Sequence, residues 1–145
     1  MAIETPIVVD LLSEFEERCD AIEECYEFML AFAGKGLPSD SGSQVRYHLE
    51  RAAQALRHLP DVLARIAEKE QLEPAAKYQA FGNVLKRDAA DSLAAIELVL
   101  AQSVISSQLI DNLNASIHLR ALLTDIFLID GILADRSRSV PVVGG

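Results

Sequence analysis

The chain has 145 residues, half of them hydrophobic, with 7 glycines, 5 prolines, and 22 acidic against 13 basic residues. That length suits one domain able to bury its own core, and the composition favours helices over strands. A formal net charge of −9 disfavours nucleic acids and anionic membranes as partners, because both repel an acidic protein.

The first predicted helix opens at Thr5-Pro6, where a hydroxyl can cap the helix and proline suits its first position. Apolar residues recur every three or four positions from Val8 to Ala33, and Gly34 and Gly36 end the helix. The opposite face is densely acidic, which is typical either of a solvated surface or of a docking site. We predict that a basic protein binds Glu16, Asp20, Glu23, Glu24 and Glu27.

Residues 34–43 are rich in turn-forming types and predict a loop, after which a second helix starts at Ser41 or Ser43. Its apolar stripe runs from Val45 to Ile66 and keeps its phase through Pro60. Proline removes one backbone hydrogen bond and crowds a carbonyl, so we predict a single helix with a kink. A ligand pocket beside this kink is one functional hypothesis.

Glu73-Pro74 marks the next turn, and a third helix follows as far as Leu100 or Val104. The only later break signal is a group of serines between Ser103 and Ser107, without glycine or proline. Two interpretations therefore stay open. Either the chain turns there, or residues 74–135 form one helix of about 90 Å, which only another subunit could bury.

The last predicted helix, Gln108 to Asp135, is the most apolar periodic segment of the chain. Its apolar residues cover a wider arc than a surface helix normally buries, which favours a homo-oligomer. We predict that Leu119, Ile126 and Ile129 form the oligomer interface together with Asp125. Because an unpaired carboxylate is costly there, we expect Asp125 to pair with an Arg or His of a neighbouring helix or subunit.

These elements predict an all-α, antiparallel up-down four-helix bundle over residues 1–135, followed by a flexible tail over residues 136–145. Cys19 and Cys25 lie six apart in one predicted helix and cannot pair with each other, which indicates a reducing compartment. No secretory signal or membrane-spanning segment is predicted, so we expect a cytoplasmic protein.

A metal site is the alternative functional hypothesis, because helical bundles with inward carboxylates and histidines bind metal ions. Asp111, His118 and Asp125 share a stripe at intervals of seven residues. Seven residues span about 10.5 Å of helix, so two of them could bind one ion only with ligands from another helix. No Glu-x-x-His pair occurs in the chain, and we expect no cofactor.

Arg51 and His58 enclose six residues, a spacing that resembles the Arg-x4-6-His motif of HEPN-type ribonuclease domains, which are small helical bundles. The resemblance covers one helix. It implies RNA cleavage, or an antitoxin-type bundle, as a second alternative.

The leading interpretation is a non-catalytic interaction protein, such as an adaptor, an assembly factor or an accessory subunit. It would act through the acidic face of the first helix and through the apolar last helix. The ionisable residues do not converge on a catalytic pattern. Cys19 falls on the apolar stripe of the first helix, and Cys25 lies among glutamates that would blunt its nucleophilicity.

Overall fold

A computed structural model describes the backbone of residues 7–139 and the side chains of residues 11–136. Within that range the chain forms five helices and no strand: α1 (Ile7–Ala33), α2 (Val45–Lys69), α3 (Ala75–Leu100), α4 (Ser107–Asn114) and α5 (Ile117–Ser139). The all-α prediction is confirmed. None of the helices in the described range is long and apolar enough to cross a membrane.

The first helix ends just before Gly34, as the sequence predicted. α1 stops at Ala33, and Gly36 adopts a φ of 64°, a left-handed conformation that glycine reaches without a Cβ clash. Phe15 and Phe32 are buried on its inner face. The predicted cap at Thr5-Pro6 lies outside the described residues.

The second helix passes through Pro60 without interruption, so the prediction of one helix is confirmed. It begins at Val45, whose backbone N–H donates to Ser43 Oγ at 3.1 Å. The apolar stripe from Val45 to Ile66 is buried on both sides of Pro60, as its constant phase predicted. The kink itself stays a prediction.

The interpretation of residues 74–135 as one long helix is wrong. α3 ends at Leu100 and the chain leaves the helix over residues 101–106. Ser106 Oγ accepts a hydrogen bond from the N–H of Leu109 at 3.1 Å and thereby caps α4. A serine hydroxyl that accepts a hydrogen bond from an unpaired backbone N–H can start a helix even where no glycine or proline is nearby.

The last predicted helix, Gln108 to Asp135, is interrupted in the structure. α4 ends at Asn114 and α5 begins at Ile117. Between them, Ser116 Oγ accepts from the N–H of Leu119 at 3.3 Å and acts as a second serine cap. Both helices bury apolar side chains, so the apolar pattern continues across the break and conceals it.

The C-terminal helix extends further than predicted, because α5 continues to Ser139 and includes the start of the predicted tail at residue 136. Residues 140–145 lie outside the described range.

Side chains of α1, α2, α3 and α5 together line a void of about 10 Å³ in the interior. These four helices therefore enclose one common core.

At one end of the molecule, Asp40 joins the loop after α1 to the loop after α3. Its Oδ1 accepts from the backbone N–H of Ile105 at 2.8 Å, and its Oδ2 accepts from Arg46 Nε at 2.7 Å. Arg46 also donates to the carbonyl oxygens of Leu100 at 3.1 Å and Gln102 at 2.7 Å. The Ile105 N–H, followed by Arg46, lowers the pKa of Asp40 below its ordinary value against the effect of burial.

Ser107 fastens α4 to the end of α1. Its hydroxyl donates to the Phe32 carbonyl at 2.6 Å and accepts from the N–H of Leu37 at 2.9 Å. The N–H of Ser107 donates in turn to the Leu37 carbonyl at 2.8 Å. Ser107 is buried, so these bonds satisfy polar groups that water does not reach. Asp40, Arg46 and Ser107 are called the loop anchor below.

Candidate functional site

An acidic band follows the seam between α1 and α5. It consists of four residues of α1 and one of α5, namely Glu16, Asp20, Glu23, Glu27 and Asp130. Glu23 is half-buried, and burial raises its pKa, with further contributions from Asp130, Asp20 and Glu27. α5 thus adds a carboxylate to a surface that the sequence predicted from the first helix alone.

Cys19 lies beneath the acidic band. Burial raises the pKa of its thiol, and Asp130, Glu23, Asp20 and Glu16 raise it further. These carboxylates therefore surround a common point. Since the thiolate is the reactive form of cysteine, a thiol kept protonated in this way is a poor nucleophile.

Glu24, the fifth residue predicted to bind a basic partner, faces away from the acidic band. Its Oε1 lies 2.5 Å from Arg51 Nη1 of α2. This ion pair also concerns the HEPN-like hypothesis, because it occupies the guanidinium of Arg51 with a carboxylate. His58 is exposed and makes no hydrogen bond or ion pair within residues 11–136. No arrangement of Arg51 and His58 around a common site is seen.

The three residues of the metal hypothesis have separate surroundings. Asp111 is exposed on α4, and His118 is exposed on α5 with its Nδ1 4.0 Å from Asp91 Oδ2. The break between α4 and α5 removes Asp111 from the stripe that it was predicted to share with His118 and Asp125. Among the side chains that the structure describes, no three His, Cys, Asp or Glu residues are grouped so as to hold a metal ion.

Asp125 faces an acid, Asp88 of α3, instead of the expected Arg or His. It is 8% exposed, and its Oδ2 has no hydrogen-bond partner in the described part of the chain. Burial raises the pKa of Asp125 to about 7, and the hydrogen bond and charge of Asp88 contribute to this rise. Two adjacent carboxyl groups repel when both are ionised, so the surroundings of Asp125 favour its protonated form.

The residues predicted for self-association lie in the chain's own core. Leu119, Ile126 and Ile129 are buried together with side chains of the other helices. A second subunit could not contact them without opening the fold, so their burial does not support the predicted oligomer interface. Helical periodicity identified an apolar face of α5 but could not tell which apolar residues the chain itself covers.

Four exposed residues in the second half of α5 form a different, apolar surface, called the α5 outer face below: Phe127, Leu128, Gly131 and Ile132. Phe127 is 60% exposed and Leu128 is 53% exposed. A Cβ atom at Gly131 would meet nothing within 4 Å, so the face is open there. Leu128 and Ile132 also line a cleft of about 290 Å³ against Tyr78 and Phe81 of α3.

A second groove, of about 440 Å³, lies between α2 and α3 beside Pro60, where the sequence suggested a ligand pocket. Gly82 widens it, because no atom lies within 4 Å of the position its Cβ would take. The charged residues of its lining are of both signs: Asp61, Glu68 and Lys86. This mixture favours no one class of ligand.

Comparisons of the chain with protein-family models, with curated proteins and with solved structures found no match. The acidic band and the α5 outer face are the two that offer recognisable chemistry to a partner.

Proposed function

We propose that this protein is a non-catalytic interaction protein, an adaptor, assembly factor or accessory subunit, whose acidic band binds a Lys/Arg-rich segment of a partner protein. The observation that carries this proposal is the crowding of like charges around Glu23, whose pKa is raised by burial and further by Asp130, Asp20 and Glu27. Such repulsion disfavours the folded chain in isolation. A cationic partner would convert it into attraction.

The contrast between the two sides of α1 supports the same proposal. On the side facing α2, Glu24 is neutralised by Arg51 and Glu14 by Arg18 at 2.8 Å. Within residues 11–136, the five carboxylates of the acidic band have no ion pair. An acidic surface that spans two helices can attract an extended basic segment along more of its length than a single row of carboxylates on one helix can.

We further propose that α1, α2, α3 and α5 form an antiparallel up-down bundle, with α4 as a connector. Contacts between α1 and α2 run in opposite residue order, since Arg18 donates to the Ala55 carbonyl and Arg51 to the Glu24 carboxylate. The same order holds for α3 and α5, whose contacts include Ser92 with His118 and Asp88 with Asp125. In this arrangement α5 lies beside α1 and completes the acidic band.

A reducing, cytoplasmic location is part of the proposal, because both cysteines are free and buried. Burial raises the pKa of Cys25 to about 12, and Arg51 opposes this rise. Both thiols are therefore poor nucleophiles, and the proposed function uses neither of them.

We also propose that the chain associates with further copies of itself as a homo-oligomer.

Binding of a short fluorescein-labelled peptide that alternates lysine and alanine, followed by fluorescence anisotropy, tests the acidic band. The band variant carries Glu16→Gln, Asp20→Asn, Glu23→Gln and Glu27→Gln. The control variant has the same net charge and neutralises exposed acids elsewhere, namely Glu50→Gln, Asp61→Asn, Glu68→Gln and Glu73→Gln.

We expect the band variant to lose about tenfold or more in affinity, and the control to change by less than about threefold. The affinity of the unmodified chain should fall as salt is added, because exposed charges are screened. Equal losses in the two variants would mean that net charge alone attracts the peptide. That result, or no measurable binding, would overturn the proposal.

A further inference from the structure

The cleft between α3 and α5 is an apolar surface that the described part of the chain leaves open. Its volume is about 290 Å³, and its walls include Tyr78 and Phe81 of α3 with Leu128 and Ile132 of α5. Leu128 is 53% exposed and Ile132 is 40% exposed. Contiguous exposed apolar side chains of this kind mark binding sites, because covering them removes apolar area from water.

The cleft extends to the end of the molecule at which α5 stops. Glu73 and Pro74, which precede α3, line the cleft at that end. The last turns of α5 lie against the same region, since Arg136 Nη1 donates to Glu70 Oε1 at 3.1 Å. The chain that follows Ser139 therefore starts near the cleft.

The segment 140–145 comes next in the chain and has a composition that suits the cleft. It carries no charged side chain, and its first four residues are Val140, Pro141, Val142 and Val143. Proline has no backbone N–H to donate, and it disfavours a helical conformation in the residue before it. This sequence therefore favours an extended course over a further turn of α5.

The segment is long enough to reach the cleft. At 1.5 Å per residue, Ile132 lies about 10.5 Å and Leu128 about 16.5 Å before Ser139 along the axis of α5. An extended chain advances about 3.3 Å per residue, so Val143 can lie about 13 Å from Ser139. On a path back along α5, Val143 therefore falls between the levels of Leu128 and Ile132.

We propose that the segment 140–145 turns back along α5 and occupies the cleft of its own chain, with Val143 packed between Leu128 and Ile132. The segment is uncharged, whereas the net charge of −9 opposes the approach of a second copy to the same cleft. The segment is also tethered beside the cleft, and a short tether gives an effective concentration on the order of millimolar. A partner that binds the cleft would first have to displace the segment.

The reaction rate of a cysteine placed in the cleft tests this proposal. Ile132→Cys introduces the thiol into the full chain, and mass spectrometry follows its alkylation by iodoacetamide separately from that of the two buried natural cysteines. The rate is compared with that of the same chain carrying Val142→Ser and Val143→Ser, which remove apolar side chains without adding charge. The matched control is Phe127→Cys, because Phe127 is 60% exposed on the same helix and lies outside the cleft.

We expect Ile132→Cys to react at least about tenfold faster with the substituted segment, the factor that follows if the natural segment covers the cleft about nine-tenths of the time. Phe127→Cys should change by less than about twofold, since its surroundings stay the same. The rates should not depend on protein concentration, because the contact lies within one chain. Equal rates with the two segments, or protection that is lost on dilution and so comes from a second copy, would overturn the proposal.

Discussion

Asp40 and Asp125 are two aspartates held against neighbouring elements, and their pKa values move in opposite directions. Asp40 accepts hydrogen bonds from the Ile105 N–H and from Arg46, so its ionised form is stabilised. Asp125 is buried beside Asp88 with one oxygen unpartnered in the described range, so its neutral form is favoured. The donors supplied by the surroundings decide which form of a carboxyl group a fold prefers.

The two sites make the stability of the chain depend on pH in opposite senses. The pKa of Asp40 is lowered, so its contribution is present above the unfolded value of 3.8 and is lost as pH falls through the folded value. The pKa of Asp125 is raised, so its contribution is present below 3.8 and is lost as pH rises towards about 7. The loop anchor therefore weakens in acid, and the contact between α3 and α5 weakens near neutrality.

The largest expected effect is that of Asp40→Ala, which should destabilise the chain by about 3 kcal/mol at pH 7. The substitution leaves the Ile105 N–H without its acceptor and Arg46 without its carboxylate, and hydrogen bonds to charged groups are the strong ones. Urea unfolding followed by circular dichroism measures the change. Asp61→Ala removes an exposed aspartate and should cost less than about 0.5 kcal/mol. Similar values for the two variants would contradict a stabilising role for the loop anchor.

Asp125→Asn should stabilise the chain by about 2 kcal/mol at pH 8, because the neutral amide can donate to Asp88 without a second buried charge. At pH 4 the gain should nearly vanish, since Asp125 is protonated in the folded state there. Urea unfolding at both pH values measures the difference. A variant less stable than the original chain at pH 8 would mean that the ionised carboxylate has a partner after all.

Ser107→Ala should destabilise the chain by about 1 kcal/mol, because the Leu37 N–H and the Phe32 carbonyl each lose a neutral hydrogen-bond partner. Hydrogen exchange at the Leu37 amide should become faster. Ser103→Ala is the control, since that serine is exposed. An effect as large as that of Asp40→Ala would show that charge is not what strengthens the loop anchor.

The smallest expected effect is that of Glu24→Gln, at most about 0.5 kcal/mol. Glu24 is paired with Arg51 but is exposed, so water competes for both groups. Urea unfolding of Glu24→Gln, Arg51→Met and the double variant gives the coupling energy between the two side chains. A coupling above about 1.5 kcal/mol would mean that partners matter at the surface as much as they do at Asp40.

The first three helices could be predicted from local signals, because glycines follow α1, a proline precedes α3, and the phase of the apolar stripe carries α2 through Pro60. The break between α4 and α5 could not be read from the apolar pattern. Its signal was present in Ser116, but a serine caps a helix only when its hydroxyl meets a free amide, as it does at Leu119.

The candidate surfaces were only partly predictable. The acidic face of the first helix was identified from its own residues, whereas Asp130 joins it from a distant part of the chain. Glu24 was included because it shares that face by sequence, yet the approach of α2 gives it Arg51 as a partner. Charge patterning along one helix carries no information about the neighbour that each side will meet.

The recurrence of apolar residues at steps of three and four determined by itself that this chain is helical, because helix formation depends on residues that are near in sequence. Only the tertiary structure decided which apolar residues of α5 remain exposed and that Asp125 would meet Asp88. Burial and pKa are properties of the surroundings. Those surroundings exist only once helices from distant parts of the chain pack together.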